Sequence, residues 1–129
     1  LLLLTNDGDL TYRLTHPSHD VEKTYLAKVY GVPDEADLQK FRRGVTVDGR
    51  KTSPAKIRIL ERDKDLRFSM VEITIHEGRN RQVRKMCEAI KHPVAQLKRV
   101  ATGELQLGDL PKGKYRHLTE REIKYLKKL

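Results

Sequence analysis

Residues 54–75, PAKIRILERDKDLRFSMVEITI, constrain the fold more than any other stretch of this chain. Apolar and polar side chains alternate on both sides of a polar turn at Asp63 to Asp65, and a period of two is that of a β-strand. The alternating apolar residues are Ile57 and Ile59 before the turn and Val71, Ile73 and Ile75 after it. Two such segments joined by a short polar turn predict an antiparallel hairpin with one face in a core.

Phe68 and Met70 interrupt this alternation. Both side chains fall on the opposite phase from Val71, Ile73 and Ile75. Because side chains alternate between the two faces of a strand, an apolar residue in the other phase is either buried on the second face or displaced by a β-bulge. We therefore expect this hairpin to have both faces buried or a bulge near Met70.

Three helices are predicted after residue 30. Each has an end signal or an apolar face at helical spacing. The expected inward residues are Leu38 and Phe41 in the first helix, which Asp34 caps and Gly44 follows; Val83, Met86, Cys87 and Ile90 in the second; and Ile123 and Leu126 in the third, which a capping box of Thr119 and Glu122 opens.

Further strands surround these helices. LLLLT at the start predicts a core strand ended by a turn at Asn6 to Gly8, and Leu10 and Leu14 predict a short helix that Pro17 stops. Strands are also expected at residues 22–31, at residues 45–51 with a turn at Asp48-Gly49, and once or twice within residues 93–107. This irregular order favours a single α+β domain over residues 1–129, with a mixed, largely antiparallel sheet and helices packed on it.

The charge of the chain indicates a polyanionic partner. The formal net charge is +9 and the pI is about 9.8, so nucleic acid is the expected ligand. An anionic membrane surface is the alternative, but the sequence has no long basic amphipathic helix with a bulky apolar face. LLLL is too short for a signal sequence or a membrane span.

Cysteine and histidine usage gives further expectations. Cys87 is the only cysteine, which excludes an internal disulfide and suits a reducing cytoplasm. The histidines are scattered, and Pro17 separates His16 from His19, so no metal site is predicted. We expect a monomer. No initiator Met precedes LLLL, so we interpret the chain as part of a longer protein.

HEGRNRQVRKM, residues 76–86, places four positive charges between Arg79 and Lys85, where a strand passes into a helix. Cations are unfavourable at a helix N-terminus because of the helix dipole, so Arg79 and Arg81 reduce local stability. The same turn offers backbone N–H groups together with cations, which suits an anion such as phosphate. A local energetic cost combined with a plausible ligand is typical of a functional site.

Arg84 has a distinctive place on this helix. At about 100° per residue it lies about 60° from Cys87, at the rim between the buried face and water, whereas Arg81 is further out. A rim arginine can reach a carboxylate or a ligand with both arms of its guanidinium. The alternative interpretation is a solvated charged face with one local ion pair between Arg84 and Glu88.

Three stretches of the chain resemble the RsuA/RluB-type pseudouridine synthases, in the order in which that family has them. EGRNRQVRKM followed by HPVAQLKRVATGELQLGDLPKGKYRHLTEREI is similar to the family's C-terminal motif. EKTYLAKVYG resembles its Lys-x-Tyr strand, and LLLLTNDGDL resembles the segment after its catalytic loop. The resemblance implies the pseudouridine synthase fold and isomerisation of uridine in ribosomal RNA, in particular large-subunit rRNA, without a cofactor.

The resemblance also implies roles for individual residues. Arg84 matches the arginine that pairs with the catalytic Asp, and Tyr25 matches the tyrosine that stacks on the target base and is proposed to help remove the C5 proton. Leu97 and Arg99 match a Leu-x-Arg element near the pocket. The positive side chains of Arg79, Arg81, Lys85 and Lys98 are expected to bind the phosphates on either side of the target. The full set of expected RNA-binding residues is Arg79, Asn80, Arg81, Lys85, Leu97, Lys98 and Arg99.

The chain departs from the family pattern at one important point. The family's catalytic Asp lies in a Gly-Arg-Leu-Asp motif, which these 129 residues do not contain, and the usual small N-terminal RNA-binding domain is absent as well. Asp7 and Asp9 belong to the turn after LLLL and do not replace the missing residue. We expect the chain alone to be inactive. A non-catalytic, ribosome-associated RNA-binding domain is the alternative function.

Overall fold

The computed structural model describes residues 21–103, 105, 106, 108 and 116–127. The described strands are β1 (Lys23–Tyr30), β2 (Thr46–Val47), β3 (Arg50–Lys51), β4 (Lys56–Arg62), β5 (Phe68–Ile75), β6 (Val94–Thr102) and β7 (Leu105–Gln106). The described helices are α1 (Glu35–Arg43), α2 (Gln82–Ala89) and α3 (Glu120–Lys127). The strand expected at LLLLT, its turn and the short helix with Leu10 and Leu14 lie outside the described residues.

Five of these strands form one sheet in the order β4-β5-β1-β6-β7, and β2 and β3 form a separate hairpin. Every described strand pair is antiparallel. The predicted hairpin is confirmed as β4 and β5, and the stretch 93–107 supplies two strands. The α+β class is therefore confirmed, and the described sheet is antiparallel throughout.

The hairpin contains a β-bulge opposite Met70, but β5 itself alternates regularly against β1, so Phe68 and Met70 face the other side of the sheet and are partly buried there. Ile59 stands opposite Val71, but the next pair is Glu61 opposite Met70. Leu60 is thus the extra residue in β4, and 45% of it is exposed. The bulge expected near Met70 is confirmed, and it lies on the partner strand.

Helix α1 begins and ends as predicted. The Asp34 carboxylate accepts a hydrogen bond from the Asp37 backbone N–H at 2.8 Å, and the Asp37 side chain accepts one from the Asp34 N–H at 3.3 Å. Leu38 and Phe41 are buried in the core. Gly44 follows the helix with φ 103°, and a Cβ at this position would overlap the Thr52 carbonyl oxygen, so only glycine fits without distortion.

The core lies between one face of the five-stranded sheet and the inner faces of α1 and α2. The predicted inward residues of α2 are all buried: Val83, Met86, Cys87 and Ile90. They pack with Ala27 and Val29 of β1 and with the alternating apolar residues of the hairpin. The apolar residues at helical spacing in α2 and those at strand spacing in the hairpin are therefore buried in the same core.

Helix α3 corrects one expectation. Its capping box is present, with the Thr119 N–H donating to Glu122 at 2.9 Å and the Glu122 N–H donating to the Thr119 hydroxyl at 3.2 Å. Ile123, expected to face inward, is 39% exposed. Tyr125 lies against Gly103 instead, and residues two apart point to nearly opposite sides of a helix. The side chain of Leu126 is outside the described part of the structure.

No helix among the described residues is long and apolar enough to cross a membrane. Within the same residues, no group of three or more His, Cys, Asp or Glu side chains is placed to hold a metal ion.

Candidate active site

Strand register brings three of the predicted site residues onto one face of the sheet. Tyr25 in β1 stands directly opposite Arg99 in β6, and the pair two residues further along is Ala27 and Leu97. Directly opposed residues of antiparallel strands project to the same side. Ala27 belongs to the core beneath the helices, and Tyr25 and Leu97 are partly buried against that core. The helix-covered face therefore carries the aromatic ring, the leucine and the arginine together.

Lys98 lies on the other face of the sheet. It pairs with Leu26, between the pair that contains Arg99 and the pair that contains Leu97, and its side chain is exposed. Because successive residues of a strand alternate between faces, Lys98 cannot project with its two neighbours. The structure thus separates Lys98 from Tyr25.

Arg84 occupies the rim position that the helical wheel predicts. Helix α2 packs on the helix-covered face and contacts both β6 and β2. Arg84 is intermediate in burial, between the buried Val83 and the exposed Glu88. The alternative interpretation required an ion pair with Glu88, which is not formed, and the Arg84 guanidinium makes no hydrogen bond with any described residue. A half-buried guanidinium in this position can bind a carboxylate.

The start of α2 is held by a buried side chain rather than by a cap. Arg81 at the N-cap adopts a left-handed conformation with φ 51° and makes no capping hydrogen bond. Gln82, only 3% exposed, accepts a hydrogen bond from the Arg79 N–H at 3.2 Å and donates one to Glu77 at 3.0 Å. Glu77 also accepts from the Ser53 N–H at 2.7 Å. This network fixes the helix start two residues before Arg84.

Arg79, one of the predicted RNA-binding residues, anchors the β2–β3 hairpin. Its guanidinium donates to the carbonyl oxygen of Val47 and, at 3.2 Å, to that of Arg50. It also lies 3.9 Å from the Glu77 carboxylate, and its side chain is only 15% exposed. The two hydrogen bonds come from Nη2 of Arg79 and tie the hairpin to the turn before α2.

Lys85 makes a second link to the same hairpin. Its ammonium group lies 2.7 Å from the Asp48 carboxylate. This hydrogen bond with Lys85 holds the pKa of Asp48 below its ordinary value, and the charges of Arg79 and Arg50 act in the same direction. Asp48 and Gly49 both have positive φ, as expected for a two-residue Asp-Gly turn.

The exposure of three other predicted RNA-binding residues differs. Asn80 and Arg81 are exposed at the start of α2, and Arg81 forms no ion pair with a described residue. Arg99 is half-buried on the helix-covered face. Glu77 and Gln82 position the site but carry no motif signal of their own. The sequence shows only that Gln82 stands between Arg81 and Val83; its burial is visible in the structure alone.

The sheet carries an aromatic ring, a leucine and Arg99 on its helix-covered face, and Arg84 lies on the covering helix, beside a basic helix start. These features define an α+β domain suited to a planar, anionic ligand such as a nucleotide. The sequence profile of the family described as RNA pseudouridylate synthase matches residues 1–89. The chain belongs to this family, and the resemblance to RsuA/RluB-type enzymes is confirmed.

Individual relatives agree with this assignment. The Bacillus subtilis protein named ribosomal large subunit pseudouridine synthase B is 49% identical over 129 residues, covering 100% of this chain and 53% of the relative. A Vibrio parahaemolyticus protein named ribosomal large subunit pseudouridine synthase E is 41% identical, covering 92% of this chain and 55% of the relative. The chain thus spans about half the length of these relatives.

A solved structure shares the fold. It is described as the crystal structure of pseudouridylate synthase, and it superposes with a TM-score of 0.83 at 37% identity. The match covers 95% of this chain and 52% of the solved chain. The pseudouridine synthase fold expected from the sequence is therefore confirmed.

Proposed function

We propose that this chain forms part of an enzyme that isomerises a uridine of large-subunit ribosomal RNA to pseudouridine. The observation that carries the proposal is the β1–β6 register, which sets Tyr25 opposite Arg99 and next to Leu97 on the face covered by α2. The names of the Bacillus and Vibrio relatives support ribosomal RNA as the substrate.

Arg84 is proposed to hold the catalytic carboxylate. A carboxylate nucleophile must stay ionised where water is excluded, and an adjacent guanidinium favours the ionised form. Arg84 is half-buried and its donors are not used by any described residue, so they are available to a carboxylate. The Asp itself is not among these residues, because the chain contains no Gly-Arg-Leu-Asp motif.

Tyr25 is proposed to receive the target uracil. A base in a stacked RNA helix cannot be reached by an enzyme, so the uridine must turn out of the stack, and an aromatic ring can hold it there. Tyr25 is partly buried and packs against the hydrophobic core, which supports its ring. Leu97 supplies apolar contact beside it, and Arg99 supplies positive charge on the same face.

The reaction needs no redox partner. The bond from the ribose to the uracil nitrogen breaks, the ring turns, its C5 bonds to the ribose, and the C5 proton leaves while the nitrogen gains one. Nothing is oxidised or reduced, which agrees with the expectation of an enzyme without a cofactor. We keep the expectation of a monomer acting on rRNA in the cytoplasm.

The loss of the C5 proton provides a test. When the full-length protein is incubated with unmodified large-subunit rRNA that carries tritium at uridine C5, tritium should appear in water in proportion to the pseudouridine formed. Binding of the RNA without release of tritium would reject the proposed reaction and favour the non-catalytic RNA-binding function.

The chain should bind structured rRNA with a strong dependence on salt. The chain has a net charge of +9, and its cations displace counterions when they bind RNA phosphates. Each neutralised phosphate should contribute roughly −0.7 to −0.9 to the slope of log K against log salt. Filter binding at several salt concentrations measures this slope. A response that does not change with salt would show that electrostatic docking is not what holds the RNA.

A further inference from the structure

The hairpin of β2 and β3 and the start of α2 together form a strongly basic surface, which we call the hairpin–helix surface. We define this surface by four cations, which are Arg50, Arg79, Arg81 and Lys85. Its acids are Asp48 and Glu77, and both are engaged, Asp48 by Lys85 and Glu77 by Ser53 and Gln82. The surface therefore has positive charge in excess and suits a polyanion.

Two of these four cations, Arg79 and Lys85, contact the hairpin itself. Arg79 donates to the carbonyl oxygens of Val47 and Arg50 and is largely buried. Lys85 is paired with Asp48 at 2.7 Å and only 29% of its side chain is exposed. These two residues hold the hairpin against α2, and most of each side chain is buried.

The other two cations are accessible. Arg50 and Arg81 are both exposed, and neither side chain donates a hydrogen bond to a described residue. Arg50 stands directly opposite Val47, whose side chain is buried in the core that α2 covers. Opposed residues share a face, so Arg50 projects towards the side of the hairpin on which α2 lies.

We propose that the hairpin–helix surface is a second phosphate-binding element for the substrate RNA, in which Arg50 and Arg81 each contact a backbone phosphate while Arg79 and Lys85 set the position of the hairpin. The inference rests on the proposed function only in taking RNA as the polyanion. It adds Arg50 to the RNA-binding residues and moves Arg79 and Lys85 from RNA contact to positioning.

A fixed hairpin makes this element effective. The two-residue turn has positive φ at Asp48 and Gly49, as a tight hairpin requires, and the Arg79 contacts set the Arg50 backbone beside the turn before α2. Guanidinium groups bind phosphate with two parallel hydrogen bonds. An RNA segment that delivers its uridine to Tyr25 would then be held at α2 and at the hairpin.

The first test compares two matched arginines. Arg50→Ala and Arg62→Ala each remove one exposed arginine from a β-hairpin, but Arg62 lies at the end of β4. Arg50→Ala should weaken rRNA binding several-fold and make the salt slope shallower by about 0.7 to 0.9, the value for one phosphate. Arg62→Ala should leave both unchanged. Equal effects of the two substitutions would overturn the proposal.

The second test locates the RNA directly. Cys87 is the only cysteine; it is 1% exposed, and burial raises the pKa of its thiol to about 12, so it does not compete for a thiol reagent. Arg50→Cys and Lys64→Cys chains, each carrying a tethered iron chelate that generates hydroxyl radicals, are bound to rRNA. Cleavage from position 50 and none from position 64 supports the proposal. Equal cleavage from both overturns it.

The positioning role of Arg79 has its own readout. In a chain with Arg79→Met, the hairpin keeps only the Lys85–Asp48 link, so adding Arg50→Ala should weaken RNA binding less than it does in the wild-type background. A full, additive effect would show that Arg79 does not position the hairpin.

These experiments separate this inference from the proposed function. If the wild-type chain binds rRNA with a steep salt dependence but Arg50→Ala behaves as Arg62→Ala does, only the hairpin element is rejected. If the wild-type chain does not bind rRNA, the proposed substrate is rejected as well.

Discussion

Replacing Arg84 with lysine in the full-length protein should lower the single-turnover rate of pseudouridine formation on the order of a hundredfold or more, the scale of losing a group that preorganises the transition state. Lysine keeps the charge but lacks the planar fork that binds both oxygens of a carboxylate. The Arg84 stem lies at the rim of the core, so the substitution alters the head group more than the packing.

The affinity for RNA should change little in Arg84→Lys, because the neighbouring cations remain. Arg81→Ala is the matched control, since Arg81 is exposed at the start of the same helix. It should weaken RNA binding more than it slows the bound complex. Single-turnover rates at saturating enzyme, measured beside dissociation constants, separate the two effects. If Arg84→Lys reacts at the wild-type rate when all the RNA is bound, Arg84 only contributes charge to RNA binding and does not hold the catalytic carboxylate.

Phe41→Ala should have the largest effect on stability. Phe41 has no exposed surface and fills the space between α1 and the sheet, so truncation removes apolar burial and leaves a cavity. The expected loss is about 3–5 kcal/mol in the free energy of unfolding. Urea unfolding measures it as a lower midpoint with an unchanged slope.

Leu66→Ala is the control for this substitution, because Leu66 is 61% exposed in the turn between β4 and β5. Its effect should stay within about 0.5 kcal/mol. Similar midpoints for Phe41→Ala and the wild-type chain would mean that α1 does not depend on the core as described.

Elements that depend on local periodicity could be predicted from the sequence. The alternation in residues 54–75 gave the hairpin, and the phase of Phe68 and Met70 indicated its partly buried second face. The spacing of Val83, Met86, Cys87 and Ile90 gave the buried face of α2, and the rim position of Arg84 followed from the same geometry. These features need only the periods of strand and helix.

Features that depend on contacts distant in sequence could not be predicted. RNA binding by Arg79 and Lys85 stays a prediction, but the sequence did not show that both side chains contact the β2–β3 hairpin, more than 25 residues away. Such partners have no local signal. The expectation for Ile123 was wrong for a similar reason: the side of α3 that packs inward is set by the contact of Tyr125 with Gly103.

The candidate site lies between these cases. The resemblance selected Tyr25, Leu97 and Arg99, and positive charge added Lys98, but neither shows which face of a strand a residue occupies. The register of β1 and β6 supplies that information and separates Lys98 from the other three. Residues that are adjacent in a strand therefore do not all face the same side of the sheet.

The central claim is that the family fold of this chain serves to form pseudouridine in ribosomal RNA. The most direct measurement maps every pseudouridine of large-subunit rRNA in cells with the gene, without it, and with it restored as wild type or as Arg84→Lys. We expect a specific pseudouridine to be lost with the gene, regained with the wild type and not regained with Arg84→Lys. A map that does not change when the gene is removed would contradict it.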